Sequence, residues 1–136
     1  MKLLVDNNLA PRLARAMNLI VNDDGHFVQP VKDKIKGSPS DIEIAHELAK
    51  EPGWALLTED KNILKTPSEL TAFMEGNITI FVFNKNWSSS SNWEKLGHTI
   101  KAWPTILSLY EDLPLDKKGA AFEIVYRQTV KIRRVK

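Results

Sequence analysis

Met1-Lys2-Leu3-Leu4-Val5-Asp6-Asn7-Asn8 opens the chain, and Trp54-Ala55-Leu56-Leu57-Thr58-Glu59-Asp60 repeats its plan: an unbroken apolar run that ends in an acid. A short run with no polar alternation predicts a strand buried on both faces of a parallel sheet. Open α/β sheets deliver whatever follows such strands to the carboxyl edge, where ligands bind. Two carboxylates brought to one edge repel each other unless a cation or a shared proton intervenes. The pair of stretches thus points to a parallel sheet with an acidic edge suited to a metal.

Working outward, Leu9, Leu13, Met17 and Ile20 share a helical face, with Arg12 and Arg15 turned away. Asn8 can cap that helix, and Pro11 is tolerable in its first turn. Asp23-Asp24-Gly25 predicts a turn, His26-Phe27-Val28 a short strand, and residues 30–39 a polar loop. Ser40-Asp41-Ile42-Glu43 spells a capping box, opening a helix that carries Ile42, Ala45 and Leu48 inward until Pro52-Gly53 stops the pattern. Thr66-Pro67-Ser68-Glu69 starts another helix, and Ile78 to Phe83 form a β-branched and aromatic strand.

After the serines at 88–91, the pair Ser91 and Glu94 opens the longest helix. Its apolar seam is Trp93, Leu96, Ile100, Trp103, Leu107 and Tyr110, and Pro104 should kink or divide it. Phe122, Ile124 and Tyr126, then Val130 and Ile132, alternate as edge strands or a hairpin. Strands alternating with helices predict a three-layer α/β/α sandwich around a central, mainly parallel sheet, built as a single domain over residues 1–136.

The composition is that of an ordinary globular chain, 43% hydrophobic and 26% charged, with no cysteine. Disulfides and thiolate metal sites are therefore excluded. No window is long and apolar enough for a membrane span and no signal-peptide pattern is present, so a cytoplasmic location without membrane partners is expected. A net charge of +2 does not announce nucleic-acid binding, although the segment Lys131-Ile132-Arg133-Arg134-Val135-Lys136 is densely basic. Such a segment is usually a solvated edge and sometimes an RNA-phosphate contact.

Asp6, Asp41 and Asp60 are the candidate metal ligands, with Glu43 and Glu69 as outer members. Magnesium takes oxygen donors, commonly one or two carboxylates with water or phosphate completing the shell. Two such ions can promote phosphodiester hydrolysis. Asp41, Glu43 and Glu69 also stand in helix first turns, where capping and the helix dipole account for acids without any chemistry. Asp6 and Asp60, each just past a buried strand, are harder to explain that way. His26, His46 and His98 show no ligand spacing, and no phosphate-cradling glycine loop occurs. Phe81, Phe83, Trp93 and Trp103 are expected in the core rather than as base-stacking platforms.

Several segments together resemble the compact PIN-like domains of VapC-type toxins. They are the stretch from Lys2 to Ala14, the pair Gly25-His26, Ser40-Asp41-Ile42-Glu43, and Leu57-Thr58-Glu59-Asp60-Lys61-Asn62-Ile63. The helix opening at Glu69, the strand Ile80 to Phe83, Trp87, Trp93, Trp103-Pro104 and Gly119 to Glu123 look like one branch of that group. The resemblance implies a Mg²⁺- or Mn²⁺-dependent ribonuclease, the toxin of a toxin–antitoxin pair, with RNA as substrate and a protein antitoxin as partner; a homodimer is left open. It carries the family acids onto Asp6, Asp41 and Asp60 as catalytic metal ligands, with Glu43 as a further catalytic acid. The chain is compressed where the family usually places its middle acids, so the fourth carboxylate is either Glu43 or Glu69.

Two other readings use the same residues. A PIN-like module could hold RNA or protein without hydrolysis. A receiver-like phosphoacceptor also places acids at strand ends and wants a lysine after a later strand, for which Lys85 is the candidate. A haloacid-dehalogenase-type phosphatase is disfavoured, because Asp6-Asn7-Asn8 lacks a second aspartate two residues on.

Overall fold

Leu3, Leu4 and Val5 are buried on both sides, and so is every residue from Trp54 to Thr58 and from Thr79 to Phe83. Strands this apolar are stable only between two layers of helices, and the computed structural model has that arrangement. It describes residues 1–84, 89–125 and 131–136; Lys85, Trp87, Ser88, Tyr126 and Val130, which figure in the expectations above, lie outside them.

In chain order the elements are β1 (Lys2–Val5), α1 (Pro11–Val21), β2 (Phe27–Pro30), α2 (Val31–Lys34), α3 (Asp41–Leu48), β3 (Trp54–Thr58), α4 (Pro67–Glu75), β4 (Thr79–Phe83), α5 (Asn92–Asp112), β5 (Ala120–Val125) and β6 (Lys131–Arg134). Short 3₁₀ turns occupy Asn22–Asp24 and Lys61–Leu64. The sheet order is β2-β1-β3-β4-β5-β6, parallel throughout except for β6, which runs antiparallel to β5.

Alternate strand residues serve opposite faces. Leu3, Val5, Leu57, Phe81, Phe83 and Phe122 pack with Leu13, Met17, Ile106 and Tyr110 of α1 and α5. Leu4, Leu56, Ile80 and Val82 pack with Ile44, Leu48 and Phe73 of α3 and α4. From β1 the chain passes through α1 to β2 on one side, and then through α3 to β3 on the other. The strand order therefore reverses between β1 and β3, the place where doubly wound sheets open a crevice at their carboxyl edge.

Several local expectations are corrected. Residues 31–34 form a helical turn with Val31 buried, not a loop. In α1, Val21 rather than Ile20 completes the inner face, and Ile20 is 53% exposed. In α3 Ile44 is buried and Ile42 is exposed, because the capping box fixes the phase of the first turn. The largest phase error concerns α5, which buries Lys95, Thr99, Ala102, Ile106 and Tyr110, and leaves Trp93 84% exposed. Apolarity alone misplaces this stripe because Lys95 finds a buried counter-charge and Thr99 donates its hydroxyl to the Lys95 carbonyl. Pro104 does not divide the helix, which runs unbroken from Asn92 to Asp112. For the tail the hairpin alternative holds and the paired edge strands do not: β5 and β6 pair antiparallel, with β5 interior and β6 at the edge of the sheet.

Candidate functional site

Val5 of β1 pairs with Leu57 of β3, so the residues just beyond these strands emerge side by side at the carboxyl edge. Asp6 continues the pairing by donating its backbone N–H to the Leu57 carbonyl at 2.9 Å. Its carboxylate is fixed from two directions. Oδ1 accepts the Asn7 N–H, and Oδ2 accepts the hydroxyl of Thr58, each at 2.7 Å.

Thr58 is fully buried and is the hub of this edge. Besides donating to Asp6, its Oγ1 accepts from the Asn8 amide at 3.2 Å and from the Asp60 N–H at 3.0 Å. Asn8 also accepts the Glu59 N–H at 3.2 Å. Its task is therefore to tie the β1 loop to the β3 loop. The cap position of α1 is Ala10, without a side-chain bond, so the expected Asn8 cap is not formed. Asp60 turns the chain into the 3₁₀ segment by accepting the Asn62 N–H at 2.9 Å.

Two helices on one face of the sheet bring further acids to the same edge. Asp41 is the first residue of α3, and Glu69 lies in the first turn of α4. Burial, the nearby charges of Asp6, Glu69 and Asp60, and a hydrogen bond with Glu69 together push the Asp41 carboxyl up to about 6. Beyond burial, these charges place Asp6, Glu69 and Asp60 each within electrostatic reach of Asp41. Asp6, Asp41, Asp60 and Glu69 thus share one electrostatic neighbourhood.

Glu43 is engaged elsewhere. It closes the capping box, accepting the Ser40 N–H at 2.9 Å while its own N–H donates to the Ser40 hydroxyl at 3.2 Å. Glu69 does the reverse of the capping reading: α4 has no side-chain cap bond, and this carboxyl turns to Asp41. Capping spelling at both helix starts hid the difference, which depends on where α3 and α4 sit against the sheet.

The donor set consists of hard oxygens, which suit Mg²⁺ or Mn²⁺, and a divalent cation offsets repulsion of the kind that raises Asp41. Among the described residues, no three acidic or imidazole side chains are close enough to hold one ion between them. The site therefore fits a cation that takes one or two carboxylates, with water or phosphate oxygens completing the shell.

A second polar group flanks the acids. Glu123 of β5 accepts from Lys61 at 2.8 Å and from Arg133 of β6 at 2.6 Å, and these two cations hold its carboxyl below the usual range. Of the basic segment, Arg133 is engaged in that pair, whereas the Arg134 guanidinium donates to the Lys136 carbonyl. No helix among the described residues is long and apolar enough to cross a membrane.

Residues 1–85 match a family model described as PIN like domain. The match spans β1 to β4 and includes Asp6, Asp41, Asp60 and Glu69, while α5, β5 and β6 lie beyond it. No curated protein and no solved structure matches the chain.

Proposed function

The chain belongs to the PIN-like domain family, and on that footing we propose that it is a divalent-metal-dependent endoribonuclease acting on single-stranded RNA. The observation that carries this reading is the gathering of acids at the strand-order reversal, where Thr58 ties Asp6 to Asp60 and where burial and the charges of Asp6, Glu69 and Asp60 raise Asp41. Such crowding costs stability in the metal-free chain, and a fold keeps it where a cation is to be held.

One or two of Asp6, Asp41 and Asp60 would hold Mg²⁺ or Mn²⁺ directly and the remainder would act through its water, with Glu69 in preference to Glu43 as the fourth carboxylate. A bound cation supplies Lewis-acid stabilisation of the phosphodiester charge and a more acidic water. The chain's own part is orientation. Thr58 holds one oxygen of Asp6, Asn8 locks the two loops together, and Asp41 and Glu69 face each other at the helix starts beside them. Single-stranded RNA is the substrate class because its backbone and splayed bases are accessible at an open sheet edge. The likeness to compact VapC-type domains supports a place as the toxin of a toxin–antitoxin pair, with a protein antitoxin covering the acidic edge.

A second reading, an RNA- or protein-holding module without hydrolysis, is favoured by the spread of the carboxylates, no three of which converge on one point among the described residues. One experiment separates the two. Purified protein is incubated with labelled single-stranded RNA and Mg²⁺ or Mn²⁺, alongside EDTA and Asp6→Asn controls. Cleavage that needs metal and vanishes in Asp6→Asn supports the nuclease; folded protein that cuts with neither metal sinks it. The toxin assignment has its own test, a neighbouring small reading frame whose product binds this chain and suppresses cleavage.

A further inference from the structure

The side chain most at odds with its sequence pattern is Trp93, which the helical seam assigns to the core and the structure leaves 84% exposed. A single exposed aromatic residue means little by itself. Trp93, however, stands on a groove of about 320 Å³ between the first turns of α1 and α5, lined also by Arg12, Leu13, Ala16, Asn92 and Leu96. That volume lies at the lower end of ligand pockets, roughly 300–1,000 Å³.

Three observations say what the groove would take. First, its walls are apolar along Leu13, Ala16, Leu96 and the indole, so a flat hydrophobic body fits between them. Second, its charge is positive. Arg12 is exposed and makes no ion pair or hydrogen bond among the described residues, whereas Arg15 on the same helix is committed to Asp33 through two bonds at 3.2 and 2.9 Å. Third, it lies near the acidic edge. Arg12 lies six residues after Asp6, no more than about 20 Å along the chain. The first turns of α5 are tied to the same edge by the ion pair between Lys95 and Glu59, the neighbour of Asp60.

We propose that this groove is a nucleobase-binding subsite, in which an unpaired base of single-stranded RNA stacks on the Trp93 indole while Arg12 contacts the adjoining phosphate. The proposal rests on the ribonuclease reading above and adds to it a strand path, from the α1/α5 groove to the acids between β1 and β3. Stacking on an exposed indole is tolerant of base identity, so the subsite sets affinity and register rather than a sequence code. Asn92, on the rim, offers an amide donor and acceptor to the base edge. A second copy of this chain or an apolar helix would bury Trp93 as well, and these occupants are outcomes of the test below.

The test is binding of a fluorescein-labelled oligoribonucleotide, measured by anisotropy in EDTA, beside an abasic oligomer of equal length and charge. Because Trp93 is exposed, Trp93→Ala leaves folding intact, which circular dichroism verifies. The variant is expected to bind the intact oligomer on the order of tenfold more weakly and the abasic oligomer unchanged, with Trp93→Phe recovering most of the loss. Equal losses on both oligomers, or no loss on either, overturn the subsite. If wild-type protein cleaves RNA with metal and Trp93→Ala binds normally, only the subsite falls. If wild-type protein binds neither oligomer, the ribonuclease reading falls with it. A change of oligomeric state in Trp93→Ala, seen by size-exclusion chromatography, overturns the subsite in favour of self-association.

Discussion

The hydroxyl of Thr58 donates to Oδ2 of Asp6 at 2.7 Å, joining the end of β3 to the first acid of the site. One buried oxygen thereby sets the position of Asp6 and, by accepting the Asp60 N–H at 3.0 Å, that of Asp60 as well. The geometry of the acidic edge is in this sense a property of the sheet register, since Val5 and Leu57 are paired immediately before it.

Thr58→Val keeps the shape and removes the hub. The Asp60 N–H and the Asn8 amide lose an acceptor and Asp6 loses a donor, so stability should fall by about 1–3 kcal/mol. Metal-dependent cleavage should fall further than the unfolded fraction explains. Urea unfolding and single-turnover assays measure the two effects, and Thr58→Ser should restore most of both. A fully active Thr58→Val would show that the hydroxyl does not position the acids.

The crowding of Asp41 makes a prediction about pH. Its carboxyl is raised to about 6 from an ordinary value of 3.8 by burial and by Asp6, Glu69 and Asp60. A raised acid favours the folded state while protonated, so the contribution is complete below about pH 4 and is lost as pH rises through about 6. Metal-free protein should therefore lose stability between about pH 4 and pH 6, and Asp41→Asn should lose less over that window. Added Mg²⁺ should stabilise the wild type at pH 7.5 and do less for Asp41→Asn. Thermal unfolding with and without EDTA checks this. Identical pH profiles for the two proteins would remove Asp41 from the cluster.

Glu43 and Glu69 differ in what they touch, and parallel variants should separate them. Glu43→Gln retains a side chain able to accept the Ser40 N–H, so both the cap and cleavage should survive. Glu69→Gln removes a charge facing Asp41 and should lower cleavage steeply while leaving folding intact or slightly improved. Full activity of Glu69→Gln beside a dead Glu43→Gln would return the fourth-carboxylate role to Glu43.

Much of this was legible before any coordinates. The unbroken apolar strands announced a buried parallel sheet, and acids directly after two of them located the edge where ligands gather. What escaped the sequence were relations between elements. Asn8 looked like a cap because its other partners, Thr58 and the Glu59 N–H, are about fifty residues away. The inner face of α5 was misjudged because a lysine counts as polar until its counter-ion is known. Glu69 was masked by a helix start that excused it. In each case local chemistry offered a sufficient explanation, and the long-range contact decided otherwise.

Lys95 allows that point to be tested energetically. Its ammonium lies 2.5 Å from Oε1 of Glu59, with the two side chains only 11% and 15% exposed. Among the described residues this Oε1 has no hydrogen-bond partner, and its compensation there is the charge of Lys95. Breaking a buried pair by removing one partner leaves an uncompensated charge and costs about 3–5 kcal/mol, whereas replacing both with apolar residues is often neutral. Lys95→Met should accordingly be strongly destabilising at pH 7.5, and the double variant Lys95→Met, Glu59→Leu should recover most of that loss in urea unfolding. The double variant should still cut RNA less well than the wild type, because the ion pair that ties the start of α5 to the residue beside Asp60 is then gone. Equal stability of Lys95→Met and wild type would mean that the pair is solvated and that the phase of α5 is set by its apolar residues alone.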